Sequence, residues 1–134
     1  WEIDANLAQW SAFEKLDLKF DDSSLDQTIR EDYEDSWQVR FGAEHRMANY
    51  QYRFGYYYDE AAAPTELVTP LLPDGPRHGV TLGLGWDRGN WKLDLYNLFL
   101  FVENRSTELR ERDGYDGVYK SYVNALGASI GFRW

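Results

Sequence analysis

Three cations in this chain are placed where they could bind an anion. Arg53 and Lys92 occupy polar positions in segments where apolar and polar residues alternate, and Arg77 precedes a third such segment. A guanidinium binds a carboxylate through two parallel hydrogen bonds, and an ammonium binds it as a point charge. These residue types therefore predict a site for the carboxylate of an acidic substrate.

The neighbouring residues leave two interpretations of this site open. Tyr57 and Tyr96 share the polar positions and could line a substrate pocket beside the cations. Acids also occupy polar positions of these segments, so the cations could instead form ion pairs that hold a wall together; the acids are Glu44, Asp59 and Asp94.

The sequence offers little else that could perform chemistry. It has no cysteine, its two histidines (His45 and His78) are isolated, and no serine, histidine and aspartate are spaced as a nucleophilic triad. Phosphate-binding and dinucleotide-binding glycine patterns are absent, and residues 113–117 are too short for a calcium loop. We therefore predict a protein that is not an enzyme and that needs neither a cofactor nor a metal.

Composition narrows the class of protein. At 134 residues the chain forms at most one domain, and its net charge of −9 argues against a nucleic-acid partner. Aromatic residues make up 17% of the chain, an excess typical of belts at a membrane interface. Mean hydropathy is only −0.64, but this does not argue against membrane strands, since only alternate residues of such strands face lipid.

Apolar residues recur at every second position, which predicts β-strands and not helices. We expect one face of these strands to contact lipid, at Trp37, Phe54, Leu82, Leu93 and Ile130, and the other to carry polar residues such as Gln38 and Thr81. The phase of the pattern changes near residues 9–13, which predicts a bulge or bend. Six strands are predicted, near residues 1–20, 37–43, 50–58, 80–86, 91–102 and 122–134.

The last strand ends on an aromatic residue. Ile130, Phe132 and Trp134 share its apolar phase, while Ser129, Gly131 and Arg133 lie between them. A terminal aromatic suits the interfacial girdle of an outer-membrane barrel. The strand also resembles the signal read by the bacterial barrel-assembly machinery, so we assign Ile130, Phe132 and Trp134 to that signal.

The connections alternate in length. Residues 46–49 and 87–90 form tight turns, whereas residues near 21–35, 60–77 and 106–119 form long polar loops. Outer-membrane barrels have short periplasmic turns and long extracellular loops. The first long loop is rich in acids and could bind divalent cations that bridge lipopolysaccharide, although a solvated loop is the simpler interpretation; its acids are Asp21, Asp22, Asp26, Glu31, Asp32, Glu34 and Asp35.

Other all-β proteins fit the same pattern. A soluble sandwich or small barrel with stacked aromatics could bind carbohydrate, and a general porin would share the membrane strands. About six strands cannot close a transmembrane barrel, because an open edge leaves backbone groups unpaired in lipid. We therefore expect the chain to be part of a larger barrel, or to associate to complete one.

Three segments resemble the FadL and toluene-porin family of outer-membrane transporters. They are Trp10-Ser11-Ala12-Phe13 with Leu16; Tyr52-Arg53-Phe54-Gly55-Tyr56-Tyr57-Tyr58-Asp59 with Pro64; and Leu72-Pro73-Asp74-Gly75-Pro76-Arg77-His78 with Val80-Thr81-Leu82-Gly83-Leu84-Gly85-Trp86. The resemblance runs in order along the whole chain. It implies an all-β, antiparallel transmembrane barrel of about 14 strands, a size within the range of bacterial barrels.

The same resemblance implies a function and a location. Residues 1–134 correspond to the C-terminal part of the family's barrel, without the N-terminal plug and earlier strands. The implied function is passive uptake of hydrophobic compounds, such as long-chain fatty acids or aromatic hydrocarbons, across a Gram-negative outer membrane. The implied partners are the substrate, outer-membrane lipid and lipopolysaccharide, the barrel-assembly machinery and the rest of the barrel.

Overall fold

The chain folds as β-structure. The structure is a computed structural model that describes residues 1–30, 32–68, 73–107 and 116–134. Short 3-10 turns occur at Trp10–Ala12, Ser23–Leu25 and Thr65–Leu67. The strands are β1 (Glu2–Ala8), β2 (Lys15–Leu18), β3 (Gln27–Arg30), β4 (Ser36–Met47), β5 (Tyr50–Asp59), β6 (Arg77–Arg88), β7 (Trp91–Ser106) and β8 (Val118–Phe132).

Six of these strands form one sheet in the order β1-β4-β5-β6-β7-β8, and every neighbouring pair is antiparallel. This confirms the predicted all-β antiparallel architecture and its six main strands. The sheet does not close on itself: within the described residues, β1 and β8 each have a single neighbour.

The first predicted strand is shorter than its apolar pattern suggested. Strand β1 ends at Ala8, and the 3-10 turn Trp10–Ala12 takes the chain out of the sheet. Strands β2 and β3 then pair with each other as a separate hairpin. The change of phase near residues 9–13 therefore marks a bend at the end of β1, where a 3-10 turn and not a bulge redirects the chain.

Both predicted tight turns are two-residue hairpins. Residues Ala48 and Asn49 join β4 to β5, and Gly89 and Asn90 join β6 to β7. The first residue of each turn has a positive φ, +52° at Ala48 and +62° at Gly89, which is the type II′ pattern that matches the twist of the flanking strands.

The long connections all leave the opposite edge of the sheet. They join β1 to β4, β5 to β6 and β7 to β8, as antiparallel order requires once the two tight turns share an edge. We call these edges the turn edge and the loop edge. Residues 113–115, Glu31 and Leu72 lie outside the described residues.

Strand register sorts the side chains onto two faces, which we call the apolar face and the polar face. Register pairs place Trp37, Phe54, Leu82, Leu93 and Ile130 together on the apolar face. Gln38 and Thr81 lie on the polar face. The predicted phase of the strands is therefore right for all seven residues.

The apolar face has no cover in the described part of the chain. Leu82 is 51% exposed and Ile130 is 73% exposed, and the only buried apolar residues described are Ala63 and Val68. A soluble sandwich or small barrel would bury such a face, whereas a membrane barrel turns it toward lipid. Among the described residues, no helix is long and apolar enough to cross a membrane.

Candidate functional site

Charged side chains cover the polar face near the turn edge, where they form one connected group that we call the charged cluster. Its members are Glu44, Arg46, Arg53, Lys92 and Asp94. Arg53 lies at its centre, with its guanidinium 2.7 Å from both Glu44 and Asp94. Arg46 contacts Glu44 at 2.6 Å and Lys92 contacts Asp94 at 3.3 Å. The predicted binding residues Arg53 and Lys92 are thus both paired with acids.

Glycines on β6 let the Arg53–Asp94 pair of this cluster cross from β5 to β7. Arg53 reaches from β5 across β6 to Asp94 on β7, passing over Gly83 and Gly85. A Cβ atom on Gly83 would lie 3.1 Å from Arg53 Cβ, and one on Gly85 would lie 2.9 Å from an Asp94 carboxylate oxygen. The alternating glycines of residues 80–86 therefore have a packing reason, which is the room they leave for side chains of neighbouring strands.

The two predicted tyrosines lie flat on the sheet for the same reason. Tyr57 is opposite Gly79 and Tyr96 is opposite Gly127 in the strand register. A Cβ atom on Gly79 would lie 2.0 Å from the Tyr57 ring, and one on Gly127 would lie 2.2 Å from the Tyr96 ring. Each ring thus covers a glycine backbone, and its position depends on the absence of a side chain there.

Replacing Gly79 with alanine should therefore move Tyr57 off the wall. The added methyl group overlaps the ring, and overpacking of this kind costs about 1–3 kcal/mol. Gly42 is a matched control on the same face, because nothing lies within 4 Å of a Cβ atom there. We expect urea unfolding of the folded protein to show a clear loss for Gly79→Ala and a small one for Gly42→Ala; equal losses would contradict the packing described here.

An apolar patch interrupts the polar face toward the loop edge of β7 and β8. Leu98 is opposite Ala125, and Leu100 is opposite Val123. Val102 continues the patch by one further position on this face. We call these five residues the apolar shelf. Tyr57 lies beside it over Gly79, which pairs with Leu100, and Tyr96 precedes Leu98 on the same face of β7.

The predicted residue Arg77 belongs to a network at the loop edge. Its guanidinium lies 2.9 Å from Asp59 and 3.8 Å from Asp74. Asp74 also accepts hydrogen bonds of 2.9 Å from the backbone N–H groups of Ala62 and Ala63. Asp74 therefore holds the start of the connection that joins β5 to β6.

Arg105 fastens the same loop from the other side and was not singled out from the sequence. It donates hydrogen bonds to the Ala63 carbonyl oxygen at 2.9 Å and to the Thr65 hydroxyl at 3.0 Å. It follows an irregularity in the pairing of β7 with β8 between Val102 and Arg105. A bulge re-aims the next side chain, and the regular alternation of the sequence carries no signal of it.

A cavity of about 580 Å³ lies where these loops meet the polar face. Strands β1, β4, β5 and β6 supply one side of it, and the connections after β1 and β5 supply the other. Its volume falls within the range of about 300–1,000 Å³ common for small-molecule pockets. The lining residues are Asn6, Ala8, Trp10, Tyr33, Ser36, Gln38, Arg40, Asp59, Glu60, Ala62, Ala63, Asp74 and Arg77.

Acids of the first long connection make local hydrogen bonds. Asp35 accepts one from the Ser11 backbone at 3.0 Å, and Asp22 accepts one from the Ser24 backbone at 3.0 Å. Hydrogen bonds from Ser11 and from Ser24 lower the pKa of Asp35 and of Asp22, respectively. Among the described residues, no three acids or histidines are grouped to hold a metal ion.

Contacts made by Phe132 and Arg133 hold the end of β8 in place. The Phe132 ring lies 4.9 Å from the Trp91 ring, and Arg133 forms a 3.0 Å ion pair with Asp87. The Arg133 N–H also donates to the Asn90 carbonyl oxygen at 2.8 Å. Trp134 lies beyond these contacts and is fully exposed, and Ile130 is exposed on the apolar face.

Comparison with known proteins identifies the fold that this sheet belongs to. No curated protein gave a significant match to the chain. The family described as outer membrane protein transport protein (OMPP1/FadL/TodX) matches residues 1–134. The match therefore covers every strand of the six-stranded sheet. The chain belongs to the outer membrane protein transport protein family (OMPP1/FadL/TodX).

Proposed function

We propose that this chain contributes a wall of a barrel that takes up long-chain fatty acids or aromatic hydrocarbons passively across the outer membrane. The observation that carries the proposal is the apolar shelf. A lumenal wall of a general porin is polar throughout, because it faces water. Leu98, Leu100 and Val123 instead offer an apolar surface on the lumenal side, which suits a ligand with little polar area.

The sequence-predicted binding residues lie on the same face as this shelf, at different distances from it. Tyr57 and Tyr96 flank it and are proposed to contact the hydrocarbon part of a substrate. Arg53 and Lys92 lie toward the turn edge, and Arg77 lies toward the loop edge. They are proposed to interact with polar head groups, although each would have to share its charge with an acid already bound to it.

The remaining proposals concern the assembly around the sheet. Strands elsewhere in the full-length protein are proposed to pair with the open edges of β1 and β8, which would satisfy their backbone groups in lipid. Outer-membrane lipid and lipopolysaccharide are the proposed neighbours of the apolar face. The barrel-assembly machinery is the proposed reader of Ile130, Phe132 and Trp134.

A variant of the shelf tests the proposed function. Leu100→Asn in the full-length protein should reduce uptake of radiolabelled oleate and toluene about tenfold, since burial of a leucine side chain contributes about 1.5–3 kcal/mol. Ser121→Asn is the control, because Ser121 lies on the same face of the neighbouring strand. Uptake is measured in cells that lack their own transporter, at equal surface abundance.

The results separate the alternatives. Wild-type uptake by Leu100→Asn would contradict the role of the shelf. Uptake of small sugars and ions in place of hydrocarbons would favour a general porin. A protein that stays monodisperse in buffer without detergent would favour a soluble binding module.

A further inference from the structure

One cation of the polar face, Arg40, differs from the others in having neither an ion pair nor a hydrogen bond to another described residue. Most of the cations there are held in ion pairs with acids; they are Arg46, Arg53, Arg77, Lys92 and Arg133. Arg105 donates its hydrogen bonds to the loop after β5. Within the described part of the chain, no hydrogen bond or ion pair joins the Arg40 guanidinium to another residue.

Arg40 lies in the cavity of about 580 Å³ at the loop edge. In the strand register it is opposite Asp4 on β1 and Tyr57 on β5. Trp10 and Tyr33 line the same cavity, and their rings contact each other edge to face at 6.3 Å. An unpaired, solvent-exposed cation and an aromatic surface thus line the same cavity.

The acids of that cavity are already engaged with donors. Asp59 pairs with Arg77, and Asp74 accepts two backbone N–H groups. Glu60 accepts a hydrogen bond of 3.1 Å from the Trp37 backbone. Arg40 is therefore the cation of this cavity that could bind an incoming carboxylate without breaking an existing ion pair.

We infer that Arg40 receives the carboxylate of an anionic amphiphile in this cavity, with the apolar part of the ligand against Trp10 and Tyr33. The inference rests on the proposed function and adds Arg40, at the loop edge, to the head-group contacts proposed there for Arg53, Lys92 and Arg77. Because three acids outnumber two arginines in the cavity, selection of an anion depends on a direct contact with Arg40.

The experiment compares oleate with oleyl alcohol, which has the same chain and no charge. Arg40→Gln in the full-length protein should weaken oleate binding about tenfold, the loss expected for one charge-assisted hydrogen-bonded contact. Oleyl alcohol should bind as it does to the wild type. Asp4→Asn should strengthen oleate binding, because it removes the acid opposite Arg40.

Arg88→Gln serves as a control for loss of a distant unpaired arginine. Arg88 also has no ion pair within the described residues, but it lies beside the turn at Gly89 and far along β6 from the cavity. Its replacement should change neither ligand. Arg40→Lys should keep part of the preference for oleate, since it retains the charge without the planar guanidinium.

Several results would overturn the inference. Equal weakening of both ligands by Arg40→Gln would make Arg40 a structural residue, and no change in either would remove it from the site. A larger oleate-specific loss in Arg53→Gln would assign the head group to the charged cluster. Tighter binding of oleylamine than of oleate by the wild type would show that the acids dominate the cavity. If the wild type takes up neither oleate nor toluene, the proposed function itself fails.

Discussion

Replacing Leu82 with arginine should destabilise the folded protein by about 2–4 kcal/mol, the range measured for basic residues on the lipid side of barrels near the midplane. Leu82 is 51% exposed on the apolar face. It lies midway along β6, between Phe54 and Asn97 in the register of the flanking strands. An arginine there would have to hold its charge in hydrocarbon or bend toward the interface.

Thr81 supplies the control for this substitution. It is the adjacent residue, at almost the same depth, and its side chain points to the polar face. Thr81→Arg should therefore cost less than about 1 kcal/mol, because lumenal substitutions keep the charge in water. Urea unfolding of the full-length protein, refolded into phospholipid vesicles, gives both free energies. Similar losses in the two variants would mean that the faces have been assigned to the wrong sides of the wall.

The face assignment could be predicted from the sequence because alternation is a local property. The alternation within each strand shows which of its residues share a face. Phe54 and Leu93 can therefore be assigned to a face without knowing which strand lies beside them. The two tight turns were predictable for a related reason, since short polar segments between alternating strands leave room only for a hairpin. Turn position then determined which edge carries the long connections.

The hairpin formed by β2 and β3 could not be predicted in this way. Leu16 and Leu18 alternate as well as any membrane strand, yet they pair with β3 outside the main sheet. Four-residue strands carry too few positions for the period to distinguish a loop hairpin from a barrel strand. The 3-10 turn after β1 takes the chain out of the main sheet, so β2 and β3 form a separate hairpin.

The phase of a strand could not predict which charged residues of the polar face pair with each other. Phase placed Arg53 on the correct face, and it also placed its acid partners Glu44 and Asp94 there. Which pairs form depends on the glycines that let Arg53 cross β6, and this is a property of three strands together. Arg40 shares the phase of Arg53 but has no such partner, so only the assembled sheet distinguishes the two.

The apolar face also contains a pair of amides that its pattern did not predict. Asn97 and Asn124 lie on this face, and the Asn124 amide nitrogen donates to the Asn97 side-chain oxygen at 3.0 Å and to the Leu98 carbonyl oxygen at 3.3 Å. An amide without a partner is costly in hydrocarbon. The two residues are on different strands, so the sequence of either strand alone could not predict the hydrogen bond between them.

Deleting Trp134 should leave the protein able to fold and should prevent most of it from reaching the outer membrane. The folded structure contains no packing that the deletion would remove, because Trp134 is fully exposed beyond the last strand. The contacts that fasten the strand belong to Phe132 and Arg133. An assembly defect would therefore come from loss of the aromatic side chain that follows β8, which is proposed to act as an interfacial anchor and as a signal.

Two measurements on the same variant separate these effects. Refolding from urea into detergent micelles should be normal for the Trp134 deletion, while its surface level in cells should fall to a small fraction of wild type. Trp134→Phe should restore the surface level, and Arg133→Gln should leave it near normal despite losing the ion pair with Asp87. Phe132→Ala should instead weaken refolding, because its ring contacts Trp91. A deletion variant found at wild-type level on the cell surface would show that assembly does not depend on Trp134. A deletion variant that fails to refold would show that Trp134 stabilises the barrel itself.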